Sequence, residues 1–182
     1  MYKIIVLSAI LAFLSGCATL SPQECRTAQW SEIGEKDGSS GYSNRIVKHQ
    51  KACSKVNIEP DHKLYEQGYQ LGLRSYCQPE VIFDGALDGR GGYRVCPSEL
   101  HAQLAPFYNV ADQYYRSKKD KDAKDKEIET YRDYLLDDKI TKEKREEYLK
   151  KIKSLKQDKL RLDLNFNHAE RELNKFRRFH HL

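Results

Sequence analysis

The sequence predicts an all-α protein in which a small Cys/Gly-rich helical domain with two disulfides precedes a long antiparallel, coiled-coil-like helical hairpin. Two observations point there. Behind an N-terminal leader, every Cys and every Gly lies before residue 98, whereas from Ser98 onward Lys, Glu, Asp, Leu and Tyr dominate. In that second half the apolar residues recur at alternating spacings of four and three, the period of a helix that buries one stripe. The expected organisation is a leader (1–16), a short tether (17–24), a Cys/Gly-rich domain (25–97) and a charged hairpin (98–182), with the boundary near Pro97.

The leader comes first. Met1-Tyr2-Lys3 is a short positive n-region, Ile4 to Leu14 is uncharged and apolar, and Leu14-Ser15-Gly16-Cys17 follows directly. That is the pattern of a lipoprotein signal. A spanning helix needs roughly 20 apolar residues, so the run is too short to cross a membrane and remain there. Small residues at 15 and 16 admit a signal peptidase. The Cys17 thiol then takes a diacylglycerol and its freed amine a further acyl chain, the only prosthetic groups the sequence implies. Several acyl chains hold where one binds marginally, because each buried CH₂ contributes about 0.8 kcal/mol. The competing reading is an ordinary secreted protein in which Cys17 is accidental. Ala18, rather than Asp, follows the Cys, which favours the outer membrane, periplasmic face, over inner-membrane retention.

Composition is then read for that compartment. The chain has 32 Lys+Arg against 27 Asp+Glu, and loss of Lys3 with the leader removes one cation. The remaining bases are interleaved with acids, so no nucleic-acid partner is expected. Cys25, Cys53, Cys77 and Cys96 in an oxidising compartment read as two disulfides, since a core this small needs staples. Four cysteines allow three pairings, and the sequence does not choose among them. The alternative is a metal site in which His49, four residues before Cys53, shares a helical face with it. There is no C-x-x-C pair to support that, and no metal ligand is assigned.

Within 25–97, aromatics precede glycines spaced four apart: Trp30 before Gly34 and Gly38, Tyr65 before Gly68 and Gly72, Phe83 before Gly85 and Gly89. Glycines at i and i+4 share a helix face and admit another backbone closely, at up to about 1 kcal/mol each in helix propensity. Short helices are expected near 26–38, 43–55 and 61–75, the last N-capped by Asp61 after Pro60. An irregular Gly-rich loop enclosed by Cys77 and Cys96 should follow. A functional reading makes that loop, with Asp84, Asp88 and Arg90, a ligand cradle; phosphate loops, however, follow a strand and open a helix, and no strand signal precedes this one.

The order Trp30-x-x-x-Gly34, Asp37-Gly38-x-x-Gly41, His49-x-x-x-Cys53, Pro60-Asp61, Tyr65-x-x-Gly68-x-x-x-Gly72-Leu73, Tyr76-Cys77 and Gly92-Tyr93-x-x-Cys96-Pro97 resembles the bacterial lipoproteins of the domain of unknown function 2799 family. The resemblance extends from about Cys25 to the aromatics near Tyr114. It departs at Glu35, where the family tends to carry an aromatic. What it implies is an envelope lipoprotein with a small cysteine-bearing domain and no catalytic residues to carry over.

The hairpin is read from periodicity alone. Tyr148, Ile152, Leu155, Lys159, Leu162, Phe166, Ala169, Leu173 and Phe176 form one seam, broken only by Lys159. Upstream, Val110, Tyr114, Ser117, Lys121, Lys124, Ile128, Tyr131 and Leu135 follow the same rule but turn polar in the middle. Asp137-Asp138-Lys139-Ile140-Thr141 interrupts the phase, with Thr141 as N-cap of the second helix and Glu143, Glu146 and Glu147 near its first turns. Antiparallel pairing about Lys139 sets Ile128 beside Lys150 and Tyr114 beside Leu164. It also places the polar stretch against Lys159, which predicts a loose middle. About 35 residues per helix at 1.5 Å each give a rod of roughly 50 Å, while the tether from Cys17 to Cys25 spans at most about 25 to 30 Å. The rod either reaches away from the membrane-proximal domain or packs on it. Arg177-Arg178-Phe179-His180-His181 reads as a frayed, charged helix end.

Three function classes are weighed. The leading expectation is a structural or protein-interaction lipoprotein, held to membrane lipid through Cys17, whose rod engages another envelope protein. The alternative is a binding module for envelope glycan or anionic lipid, for which many tyrosines and mild positive charge are permissive. An enzyme is the least favoured: His49 with Asp61, or Asp84 with Asp88, rests on no characteristic spacing, and no catalytic residue is assigned. A pocket in the first domain lined by Tyr, Asp and Arg would favour the binding module, and an exposed apolar stripe on the rod would favour the protein partner.

Overall fold

The structure is a computed structural model that describes residues 19–182. Among these residues there is no strand, and the chain divides into two compact units, one ending at Tyr76 and the other spanning Cys77–Leu182. The packing boundary thus falls at Tyr76/Cys77, whereas composition changes at Pro97. No described helix is long and apolar enough to cross a membrane.

Among the described residues the first unit holds four α-helices: α1 (Pro22–Arg26), α2 (Trp30–Ser39), α3 (Ile46–Cys53) and α4 (His62–Tyr76). Ser21 caps α1 in a capping box, its Oγ accepting from Glu24 N–H while Glu24 accepts from Ser21 N–H at 2.7 Å. Thr27 caps the C-terminus of α1, so the helix expected from residue 26 begins again only at Trp30. Asp61 caps α4 as expected, accepting from Leu64 N–H at 2.9 Å. The Cys25–Cys53 disulfide, Cα atoms 5.4 Å apart, joins α1 to the end of α3.

Helices α2 and α4 run side by side in the same direction, backbone against backbone, and the glycines make this possible. A Cβ on Gly34 would lie 2.0 Å from the Tyr65 carbonyl oxygen, and one on Gly38 2.3 Å from that of Tyr69. Reciprocally, a Cβ on Gly68 would meet Ser31 O at 1.8 Å and one on Gly72 would meet Glu35 O at 2.2 Å. These distances are well inside van der Waals contact, so only hydrogen fits. The face of α2 that turns to α4 is Trp30, Gly34, Asp37 and Gly38, all buried. Glu35, the departure from the family pattern, is exposed and meets α4 through its backbone.

The second unit comprises α5 (Pro79–Leu87), two short 3-10 turns (Tyr93–Val95 and Ser98–Leu100), α6 (His101–Leu135) and α7 (Lys142–His180). The expected irregular loop between Cys77 and Cys96 is corrected here: its first half is helix. Pro79 starts α5, and Ile82, Phe83 and Ala86 bury one face of it, Phe83 and Ala86 packing with Ala111 and Leu173 of the hairpin. The Cys77–Cys96 bridge closes this segment, Cα atoms 5.8 Å apart.

The hairpin itself is as read, with its register moved. Tyr114 packs on Phe166 with ring centroids 5.6 Å apart, and Ile128 on Ile152 and Leu155. Pairing therefore centres near Ile140 rather than Lys139, and Leu164, expected beside Tyr114, is 69 % exposed. Burial sets the shift, because the alternative would place Lys150 and Leu164 in the seam and expel Ile152 and Phe166. The polar stretches do face each other. Lys159 Nζ reaches Asp125 at 2.9 Å across the pair and Asp163 at 3.0 Å along its own helix, while Lys121 also holds Asp125. Thr141 caps α7, accepting from Lys144 N–H. At the far end α7 stays regular to His180, whose ring packs on Phe107 and Phe176, so the expected frayed end is corrected as well.

Candidate functional site

The first unit contains one concentration of buried polar chemistry. Asp37 sits on the glycine face of α2, His49 on α3 and Tyr65 on α4, each less than a tenth exposed. The crossing of α2 and α4 fixes Asp37 opposite Tyr65, and the Cys25–Cys53 bridge anchors the end of the helix that carries His49.

The geometry is convergent. Asp37 Oδ2 accepts from His49 Nε2 and from the Tyr65 hydroxyl, each at 2.8 Å. The Tyr65 oxygen in turn accepts from Arg45 N–H at 3.0 Å, and the Arg45 guanidinium stands 4.0 Å from Asp37 Oδ1 while stacking on the Tyr42 ring. The Tyr69 hydroxyl donates to the Tyr42 carbonyl at 2.8 Å. Burial on its own would raise the Asp37 carboxyl, but the bonds from His49 and Tyr65, helped by the positive charge of Arg45, hold it below its usual range. For Tyr65, burial and then the adjacent carboxylate push the hydroxyl far above the ordinary phenol value, against the Arg45 N–H. Tyr69 is raised by burial and by Glu66.

The cluster ties three helices through an ionised carboxylate, and among the described residues no Ser, Thr or Cys is hydrogen-bonded to His49 as a nucleophile would be. Against it lies a cavity of about 470 Å³ whose walls include Asp37, Tyr42, Arg45 and His49. In the second unit a groove of about 740 Å³ runs along the hairpin beside the seam, bordered by Leu149, Leu160, Lys153 and Lys156.

Cys17 lies outside the described residues. Cys25 pairs with Cys53 and Cys77 with Cys96, so the thiolate that a His49–Cys53 metal site would need is bound in a disulfide. Among the described residues no group of three or more His, Cys, Asp or Glu is arranged to hold a metal ion. Asp61 is not the partner of His49; it caps α4. Asp88 and Arg90 form an exposed ion pair at 2.6 Å, and Asp84 is exposed on α5. Sequence reasoning missed Asp37 as the partner of His49. The available signal was its position three residues after Gly34 and one before Gly38, which puts a carboxylate on a face built for close packing.

These features define a class: an all-α protein whose disulfide-linked glycine-packed helical unit carries a buried Asp–His–Tyr cluster, with a helical hairpin in the unit that follows. The family model described as "Protein of unknown function (DUF2799)" matches residues 29–113, a span that contains the whole Asp37–His49–Tyr65 cluster and α5. The match supports the family resemblance read from the sequence. No curated protein and no solved structure matches the chain.

Proposed function

We propose that this is a lipid-anchored envelope protein of structural or protein-interaction type, held by acyl chains on Cys17 at the periplasmic face of the outer membrane, with its hairpin as the element that meets a partner protein. It has no catalytic role in this reading. The carrying observation is on α7. Leu149, Leu160 and Leu164 are 53 %, 67 % and 69 % exposed, and with Lys153 and Lys156 they follow spacings of four, three, four and four along one face, beside the hairpin seam. Leucines exposed together on one face of a helix mark an interaction surface more often than leucines scattered singly do. The two disulfides fit an oxidising compartment.

In-cell crosslinking from Lys153, with Lys124 as a second origin, tests the partner. Protein adducts that vanish in Leu160→Asp are expected, and capture of glycan with no protein would defeat the reading. The anchor has its own test. Cys17→Ser should abolish lipid labelling and release the protein from membranes; unchanged fractionation refutes it. A second reading, a binding module for glycan or anionic lipid, draws on the cavity beside His49, whose walls are the Tyr, Asp and Arg such a module needs.

A further inference from the structure

Among the described residues two buried side-chain polar atoms lack a partner, Thr19 Oγ1 and His49 Nδ1. Both residues line the same cavity of about 470 Å³ in the first unit. Buried orphans are rare in folded proteins, so two on the walls of one cavity call for a common explanation. The volume falls within the roughly 300 to 1,000 Å³ of small-molecule sites.

The bonding state of His49 follows from its neighbour. Asp37 is ionised and only accepts, so Nε2 carries the proton that lies between them. Nδ1, on the other side of the ring, is left without a partner, and a group that can both donate and accept satisfies it whichever role it takes; the Thr19 hydroxyl likewise both donates and accepts. Charge narrows the class further. The walls carry Glu24, Glu32 and Asp37 against Lys36 and Arg45, and of these Glu24 is tied to the α1 cap and Asp37 to its three neighbours. Without an excess of positive charge the cavity does not suit a phosphate. Leu20 and Ile33 add apolar wall of the kind the C–H face of a sugar ring covers.

We propose that this cavity binds a neutral, hydroxyl-rich ligand of the saccharide class, with His49 Nδ1 bonding one ligand hydroxyl and Thr19 Oγ1 a second. The proposal rests on the binding-module reading and narrows it to glycan. It is independent of the hairpin face, so a protein partner at α7 neither supports nor weakens it.

The test uses the full-length mature chain in detergent, with the His49 ring nitrogens followed by ¹⁵N NMR. The probes are glucose, N,N′-diacetylchitobiose, inorganic phosphate and anionic phosphatidylglycerol vesicles. Expected is saturable binding of at least one of the two sugars that moves the Nδ1 resonance, with no response to phosphate. Thr19→Val keeps shape and removes the hydroxyl, and should weaken that binding by roughly tenfold, the loss of one hydrogen bond. His49→Gln should abolish it. Should that variant fold poorly, the Thr19→Val change and the wild-type ring shift still decide the matter. Binding of vesicles or phosphate without sugar overturns the proposal and leaves the module reading standing. Failure of every probe, with only water in the cavity, overturns both.

Discussion

Asp37 is 7 % exposed, yet it is held in its charged form, because His49 and Tyr65 donate to one of its oxygens and Arg45 stands near the other. Removing a partner from such a group leaves the others buried and unpaired, which costs more than the bonds themselves contributed. Asp37→Asn should therefore destabilise the protein by about 2–4 kcal/mol in urea unfolding followed by circular dichroism. The pH dependence has a definite sign. A carboxyl whose folded value lies below its unfolded 3.8 adds stability that is present above about pH 4 and is lost as pH falls through the folded value. The gap between wild type and Asp37→Asn should thus narrow below pH 4; a constant gap down to pH 2 would contradict the charged assignment. Tyr65 acts at the other end of the scale. Its phenol stays protonated in the folded state past the unfolded value of 10.0, so stability falls as pH rises above 10, and Tyr65→Phe should flatten that decline. The sequence offered His49 and Asp37 as residues but not as a pair. They lie on different helices, and only the α2–α4 crossing makes Asp37 an interior residue.

That crossing is the element on which the first unit depends. The glycine spacing in the sequence announced close helix packing, but it did not say which helices meet: Phe83, Gly85 and Gly89 carry a similar pattern, yet α5 packs on the hairpin through Phe83 and Ala86, and neither glycine there meets the backbone of another helix. Gly68→Ala puts a methyl 1.8 Å from the Ser31 carbonyl oxygen, where backbone must move to admit it. We expect a loss of about 3 kcal/mol or more, at or beyond the top of the usual range for overpacking, together with a changed His49 environment. Gly85→Ala, whose nearest contact would be 3.3 Å, should be mild by comparison. In the second unit the legible and illegible parts are reversed. Every seam residue read from the 4-3 spacing is buried or half-buried in the hairpin, because a two-helix contact must hide its apolar stripe and the stripe is written locally. Helix α5 was not legible. Its glycine, its short length and the cysteines around it outweighed Ile82, Phe83 and Ala86, whose burial depends on α6 and α7 being there to cover them. The polar layer at Lys159 and Asp125 makes its own prediction. Both side chains keep contact with solvent, 28 % and 39 % exposed, and ion pairs so placed contribute about 1 kcal/mol at most. Asp125→Leu with Lys159→Leu continues the apolar seam through this layer and should raise the thermal midpoint of the hairpin, by the equivalent of about 1–2 kcal/mol of added apolar burial. A lowered midpoint would show that the ion layer is the stronger arrangement.

At the scale of the whole chain the covalent wiring follows the packing. Cys25–Cys53 lies in the unit that ends at Tyr76, and Cys77–Cys96 in the unit that begins at Cys77, so no disulfide joins the two. Each bridge closes a loop within its own unit, with sequence separations of 28 and 19. Chain-entropy arguments give each of them about 3–4 kcal/mol. The composition change at Pro97 gave no hint of this division, because it records where glycine and cysteine stop, whereas packing joins α5 to the hairpin through Phe83 and Ala86. Each unit also has its own apolar interior, with Tyr65, Tyr69 and Leu73 in one and Phe83, Leu104, Ala111 and Leu173 in the other. A protease site inserted between Tyr76 and Cys77 should therefore yield two fragments that separate on a non-reducing gel, each keeping its helical circular dichroism and its own protected disulfide. Were the pairing to cross the boundary in either of the other two ways, the cleaved chain would run as one species until reduced. The same digest tests the proposed anchor: acylation at Cys17 would put lipid label on the fragment ending at Tyr76, and label on the hairpin fragment would remove Cys17 as its site.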